Sequence, residues 1–313
     1  GDTVSVTVTS ALTGGTRNMI GVVPDVRIDQ VSPGDRKVIG HAPAGTVLSV
    51  VAISPYGDTT AAATATAAGD GTFSATIPAG DPIGPGWRIR VSAQIVPGLM
   101  VTSVDAIEQV RVGVHTGVVS GVADPGVPIT ITLRSNAGVE KATQSDRANN
   151  AGAFSVTFGG ANGIVVGDRV EVTFVNGDPI IIPVSELTAM TDKVADTVSG
   201  TAQAGTTVTV MYRQGGANGA VTRKSATVNA SGQYRVDFSG ALDITDPMAG
   251  EVAVRLASGH ELVTNWAAVR MTVQLNQQFI TGNGPSGRSA HIDLVDTPSG
   301  KVVATADANI GGG

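Results

Sequence analysis

The sequence predicts an all-β chain: a tandem array of antiparallel β-sandwiches, phased so that each terminus carries part of a sandwich. Three observations predict it. A glycine followed by a small-residue turn and an alternating strand returns at Gly40, Gly121, Gly200 and Gly282, at intervals of 81, 79 and 82 residues. A second glycine stands two residues before an aromatic at Gly71, Gly152 and Gly232, spaced 81 and 80 residues apart. A turn leading into a strand recurs at Gly86, at Gly167 and near Gly250. A fixed period of this size marks an array of similar units that stack on one another.

Within each unit the apolar residues alternate. Val4, Val6 and Val8 are separated by Ser5 and Thr7; Ile129, Ile131 and Leu133 by Thr130 and Thr132; Val208 and Val210 by Thr209. Period two places one apolar and one hydroxyl-rich face on each strand. Pro33-Gly34-Asp35, Pro125-Gly126, Asn176-Gly177-Asp178 and Ala230-Ser231-Gly232 supply the turns between them. Short strands at regular spacing with turns between them are the pattern of a sandwich. Phe73, Phe154 and Tyr234 share one repeat position and are read as one core ring per unit. The single candidate for a helical turn is Glu186–Met190, and the Ala/Thr run from Thr59 to Ala68 reads as a strand or hairpin.

Composition narrows the function classes. The chain has 313 residues, 41 of them Gly, with no Cys, 15% charged residues and a net charge of −6. The absence of Cys excludes a disulfide framework and thiolate metal sites. The acidic balance and scattered Lys and Arg argue against a nucleic-acid binder and against gripping an anionic membrane. No apolar run reaches the length of a membrane-spanning helix, and no signal-peptide pattern is read at the start of the sequence. The start at Gly1 is expected to reflect processing or trimming.

The pattern of glycine, small residues, Ala-Gly, a TVTV-like strand and then Ala-x-Gly-x-Phe/Tyr-x-Val resembles the bacterial immunoglobulin-like repeats of large surface adhesins and extracellular filaments. Gly200–Tyr212 and Ala230–Phe238 carry the resemblance best. It implies disulfide-free, seven-stranded immunoglobulin-like sandwiches strung end to end, outside the cell or on the surface of a prokaryote. On this reading residues 32–112, 113–191 and 192–273 are complete units. Residues 1–31 hold the late strands of a split unit, and residues 274–313 the early strands.

The ends are out of phase with the repeat. Residues 1–8 (GDTVSVTV) match GDRVEVTF at Gly167; Ala290, Ile292 and Leu294 match Val208, Val210 and Tyr212; Ile280 matches Val198. The two fragments together lack the equivalent of Phe73–Pro85, a piece of 13 residues. Half a sandwich exposes apolar faces and open strand edges. Val4, Val6, Val8, Ile280, Ile292 and Leu294 are therefore the expected subunit interface of a head-to-tail homopolymer joined by strand complementation.

Other chemistry is thinly represented. His41, His115, His260 and His291 are scattered and read as solvated turn or edge residues. There is no Gly-x-Ser-x-Gly, no H-E-x-x-H, and no Lys-Ser/Thr after the glycine-rich stretch Gly215–Gly219. No enzyme activity, cofactor or catalytic residue is expected. Asp58, Asp70, Asp146, Asp178, Asp243 and Asp246 fall in turns. The metal candidates are calcium ligands at unit junctions, Asp29 with Asp35 and Asp192 with Asp196. Trp87 matches Asp168 and so reads as an exposed rim; with Trp266 it could stack on a sugar, which makes glycans a second candidate partner. Asn229-Ala230-Ser231 is a glycosylation sequon. The resulting expectation is a filament subunit. Its rivals are a stalk segment of a giant adhesin and a carbohydrate-binding accessory region of a secreted enzyme.

Overall fold

A computed structural model describes residues 3–9, 15–31, 36–57, 60–78, 83–96, 99–160, 163–175, 177–214, 219–274, 279–284 and 288–310. Among them there are 27 strands and no α-helix. A hairpin comes first, β1 (Thr3–Thr9) with β2 (Thr16–Val22). Seven strands follow: β3 (Arg27–Gln30), β4 (Lys37–His41), β5 (Val47–Ile53), β6 (Thr60–Thr66), β7 (Thr72–Thr76), β8 (Arg88–Val96) and β9 (Leu99–Ala106). A second seven are β10 (Gln109–Gly113), β11 (Val118–Val122), β12 (Pro128–Arg134), β13 (Glu140–Arg147), β14 (Ala153–Thr157), β15 (Arg169–Phe174) and β16 (Ile180–Pro183). A third seven are β17 (Met190–Asp192), β18 (Thr197–Thr201), β19 (Thr207–Arg213), β20 (Val221–Thr227), β21 (Gln233–Asp237), β22 (Ala249–Arg255) and β23 (Glu261–Ala267). Four more complete the series: β24 (Arg270–Val273), β25 (Ile280–Asn283), β26 (Arg288–Asp296) and β27 (Lys301–Ile310).

Each set of seven has one connectivity. Its first, second and fifth strands form one sheet, as in β3-β4-β7, and the other four form a second, as in β6-β5-β8-β9. Alternation decides which residues enter the core. On β5, Leu48, Val50 and Ala52 are fully buried while Val47 is 65% exposed; on β12, Ile129, Ile131 and Leu133 are buried. In the first set, Val38 and Phe73 from one sheet share a single core with Leu48, Val50, Ile89 and Val91 from the other. Outer faces carry hydroxyl pairs such as Thr132–Thr143 at 3.0 Å and Thr209–Ser225 at 3.0 Å. The chain divides into two compact units, Gly1–Glu108 with Val122–Val127 and Ala148–Ala153, and the remaining residues.

The first strand of each set lies ahead of the boundaries drawn at residues 32, 113, 192 and 274. Its pairing with the second strand assigns it forward: Arg27↔His41, Met190↔Ser199 and Arg270↔Asn283. The segment Glu186–Met190 is not a helical turn. Thr188 donates its N–H to the Thr201 carbonyl at 2.9 Å, which lays the segment along β18. The third sequence anchor also shifts. The same turn closes between Gly84 and Trp87, Val165 and Asp168, and Thr245 and Met248. Pro247, not Gly250, therefore stands where Gly86 and Gly167 stand.

One contact repeats in all three sets. The glycine of the second strand lies under a backbone carbonyl of the first strand, or of the segment just ahead of it, and under the aromatic side chain of the fifth. A Cβ on Gly121 would sit 2.0 Å from the Gln109 oxygen and 2.7 Å from the Phe154 ring. The distances are 2.2 and 2.6 Å for Gly40 with Arg27 and Phe73. Gly200 repeats it with the Thr188 carbonyl at 2.1 Å and the Tyr234 hydroxyl at 2.9 Å. Real Cβ atoms do not come so close to a backbone oxygen, and both partners are held by sheet ladders. The rings are buried as expected, Phe73, Phe154 and Tyr234 being 3–4% exposed. Gly121→Ala should therefore destabilise the second set by about 1–3 kcal/mol, the cost of overpacking. Urea denaturation followed by Phe154-region hydrogen exchange measures it, and a neutral Gly126→Ala at an uncrowded turn is not the expected control, because Gly126 holds φ at 81°. Gly159→Ala, where nothing lies within 4 Å, is the control expected to change little.

Candidate assembly surfaces

In the second compact unit, β10 pairs in parallel with β23, in the register Arg111↔Glu261, Val112↔Leu262 and Gly113↔Val263. This seam joins the three-stranded sheet β14-β11-β10 to the four-stranded sheet β23-β22-β19-β20, giving one sheet of seven strands. Val114 donates its N–H to the Val263 carbonyl at 2.8 Å, and the Gln109 amide reaches the Gly259 carbonyl at 3.2 Å. Charges are buried along it. Arg111 bonds Glu261 through Nε at 3.0 Å and also pairs with Glu251, while Arg255 reaches the other Glu261 oxygen at 3.3 Å. Glu261 is fully buried. Burial alone would lower the Arg111 pKa, but the two glutamates outweigh it and raise the pKa above its ordinary value.

His260 is buried at the same seam, contrary to the solvated position expected from sequence; its Nδ1 accepts the Val110 N–H at 3.2 Å. Burial lowers its pKa, so the folded state favours the neutral ring. His41 is likewise in β4 and not in a turn, with Nδ1 2.5 Å from Asp29 Oδ2.

The first compact unit holds a second charged cluster, Asp105, Glu108 and Asp124. Asp124 Oδ1 accepts the Ala106 N–H at 3.0 Å. Burial, then the neighbouring Asp124 carboxylate, pushes Asp105 up to about 6, and burial followed by the Asp124 charge raises Glu108.

The aspartates proposed for calcium have other partners. Asp29 accepts from Arg27 Nε at 3.0 Å as well as contacting His41. Asp192 Oδ1 accepts the N–H groups of Val194 and Ala195, an Asx-type turn. Asp196 Oδ1 accepts the Ile244 N–H at 2.9 Å. Asp35 lies outside the described residues. Among the described residues no three His, Cys, Asp or Glu side chains converge as a metal site. In the sequon, Asn229 Oδ1 accepts the N–H groups of Ser231 and Gln233.

Trp87 is 5% exposed and Trp266 is fully buried, which overturns the exposed reading of Trp87. Trp87 does share the repeat position of Asp168, but that carboxylate is buried too, holding Lys141 Nζ at 2.7 Å and the Val165 N–H at 3.0 Å. The position is interior in both sets and is filled once by an indole and once by a satisfied ion pair. Trp266 donates Nε1–H to the Met211 carbonyl at 3.1 Å.

The strands at the two ends differ from the three sets of seven. Val4, Val6 and Val8 stand on β1 opposite Gly21, Met19 and Arg17, and their side chains lie outside what the structure describes. Toward the other end, β24–β25 and β26–β27 form separate two-stranded sheets. Ile292 and Ile280 are half-buried, whereas Leu294 is 57% exposed, against complete burial of Leu133 at the same repeat position. Met271, Val273, Val302 and Val303 are exposed as well. The opposite face of β26 carries His291, with Nδ1 2.6 Å from Asp307 and Nε2 3.1 Å from Asp293, and farther along the exposed Val295 opposite Val302. Between the two hairpins is a cleft of about 580 Å³ lined by Ile280, Gly282, Ala290, Ile292 and Ile310.

Three outcomes follow from this geometry. Arg111→Ala strands the buried Glu261 charge, and should cost the seam about 3–5 kcal/mol, read as faster hydrogen exchange at Val114. Acid acts in the same place: as pH falls below 6.5, the unperturbed histidine value, protonation of His260 must break its bond to Val110. Stability from that bond is present above 6.5 and lost below it, and Val110 exchange should rise accordingly. Asp105 has the opposite sign. Its folded pKa of about 6 exceeds the ordinary 3.8, so its contribution is full below 3.8 and lost as pH rises through 6. Asp105→Asn should remove that loss, making thermal stability of the first unit higher than wild type above pH 6.

No family model and no curated protein matches the chain. Among solved structures, a tetra-tandem repeat from the extending region of a large adhesion protein is similar over 91% of this chain and 87% of its own, at 17% identity and a TM-score of 0.21. Alpha-2-macroglobulin of Escherichia coli in its native conformation is similar at 10% identity and a TM-score of 0.20, over 89% of this chain and 26% of that one. Latent PorU from Porphyromonas gingivalis is similar over 72% of this chain and 31% of its own, at 10% identity and a TM-score of 0.18. Scores this low do not superpose the chains, and the all-β fold stands on the strand ladders alone. No helix among the described residues is long and apolar enough to cross a membrane.

Proposed function

We propose that the chain is a structural subunit of a filament outside the cell or on its surface, without catalytic activity. Its three sets of seven strands are immunoglobulin-like sandwiches. Its end strands are parts of a further sandwich that neighbouring subunits complete head to tail. The observation that carries this reading is the exposure of core-type residues on β24–β27, where Leu294 lies open at a position buried in Leu133. In strand order, β1–β2 matches the antiparallel pairs β8–β9, β15–β16 and β22–β23, which supply the sixth and seventh positions. β24–β27 matches the first four positions. Burying each exposed Leu or Val is worth about 1.5–3 kcal/mol, enough in sum to drive association. A contact between two different surfaces that does not close makes a fibre.

A carbohydrate-binding role loses its basis, because Trp87 and Trp266 are interior. The filament reading is tested by electron microscopy and by mass under denaturing conditions. Fibres that dissociate to chains near 31.4 kDa support it. A much larger covalent chain overturns it in favour of a continuous stalk. Leu294→Asp, which would carry a charge into the joint, should abolish fibres while leaving the three complete sandwiches folded, as circular dichroism would report.

A further inference from the structure

Among the described residues, β10–β23 is the one strand pairing that crosses from one set of seven to another. Its ladder is short. It covers Arg111, Val112 and Gly113, whereas β19 pairs with β20, and β22 with β23, along their whole length. What it encloses is polar. Val110, Val112 and Val114 share one face of β10, and Gln109, Arg111 and Gly113 share the other. Arg27, Gln109 and Thr188 are equivalent, since each sets its carbonyl on the repeat glycine. Two residues further on stand Asp29, Arg111 and Met190. Arg27, Asp29 and Met190 are exposed, so it is the neighbouring set that encloses Gln109 and Arg111. From β23 and the turn before it the seam buries His260 and Glu261. Its interior is therefore amide, guanidinium, imidazole and carboxylate. Water solvates all of these once the edges part, and a matched buried ion pair holds with little net free energy.

Parting would create no kind of edge that the molecule lacks. β3 and β17 are first strands with a single neighbour, and β9 and β16 are seventh strands with a single neighbour. Each set also keeps both of its sheets without the seam. The connection is compact. Val184 still donates its N–H to Asp168 of the second set at 2.8 Å, and Thr188 already donates to Thr201 of the third at 2.9 Å. Only residues 185–187 lie between these two bonds. We infer that the β10–β23 seam is a latch, which opens as one unit about a pivot at residues 185–187 and lets the second and third sets move apart while each stays folded. A few connecting residues that absorb the backbone change are how hinges work. The latch is independent of how the end strands assemble.

The test uses the full chain. Val110 and Val114 donate their N–H groups across the seam, to His260 and Val263. In the wild type, hydrogen-exchange protection at both should be lower than at Leu133 and Val210 by about tenfold or more, and alike at the two sites, as for one cooperative opening. Arg111→Glu sets like charges opposite Glu261 and beside Glu251. It should lower protection at Val110 and Val114 by about a further tenfold and leave Leu133 and Val210 unchanged. The chain has no Cys, so dyes at Ser145→Cys and Thr227→Cys label the second and third sets specifically. Energy transfer between them should fall when Arg111→Glu is added. Equal protection at the seam and at Leu133 and Val210 in the wild type overturns the inference. So does lost protection at Leu133 or Val210 in the variant, which would make the seam part of the core. Unchanged energy transfer also overturns it, because the opening would then be local fraying.

Discussion

The structure depends on a glycine covered by a ring. At Gly40, Gly121 and Gly200 the absence of a side chain lets a carbonyl of the first strand, or of Thr188 just ahead of it, and the fifth strand's aromatic approach the second strand together. That contact ties three strands into one sheet and turns the largest side chain of the fifth strand into the core. Small sets of strands bury limited surface and have little to spare. Each concentrates its burial in a few aromatic rings, such as Phe73 with Trp87 or Tyr234 with Phe238 and Trp266, and in branched residues, without any Cys. Phe154 extends the arrangement with an edge contact to Phe174, ring centres 6.0 Å apart. Tyr234 varies it by giving its hydroxyl to the Thr188 carbonyl at 2.6 Å, so the polar tip is satisfied inside.

A second constraint acts between sets of strands. The β10–β23 seam links residues 150 positions apart in sequence through parallel pairing, and it buries Arg111 against Glu251 and Glu261. Burying such charges is costly unless each is matched, so the network contributes more to fixing one arrangement than to net stability. Charge matching makes the register of the two edges specific, where alternating Val residues alone would tolerate a slip of two. The Asp105–Asp124 pair is a different case. Two carboxylates share a partly buried place, and one is held protonated to higher pH than usual.

Much of the fold was legible because period and alternation are local properties. The 80-residue spacing of Gly40, Gly121 and Gly200, the inward Ile129, Ile131 and Leu133, and the burial of Phe73, Phe154 and Tyr234 all follow from residue order. The misreadings have one physical origin: a polar residue in sequence does not reveal whether a partner meets it. Asp168 looked like a solvated turn residue and so made Trp87 look exposed, yet Lys141 satisfies the carboxylate inside. His260 looked like a surface residue, yet the Val110 N–H gives its ring a partner. Pro247 stands where Gly86 and Gly167 hold φ at 85° and 93°, a region closed to proline, so the same i to i+3 hydrogen bond closes a turn of different backbone shape.

For the end strands, sequence order by itself determined which repeat positions are present: the matches of Ala290, Ile292 and Leu294 to Val208, Val210 and Tyr212 require only the period. Sequence order also determined strand alternation, the small turns and the all-β class, since backbone geometry links these to neighbouring residues. Tertiary structure alone decided that Leu294 is exposed where Leu133 is buried, and that β10 finds β23. Those facts concern which surfaces meet, and burial is a relation between distant segments that no local pattern encodes.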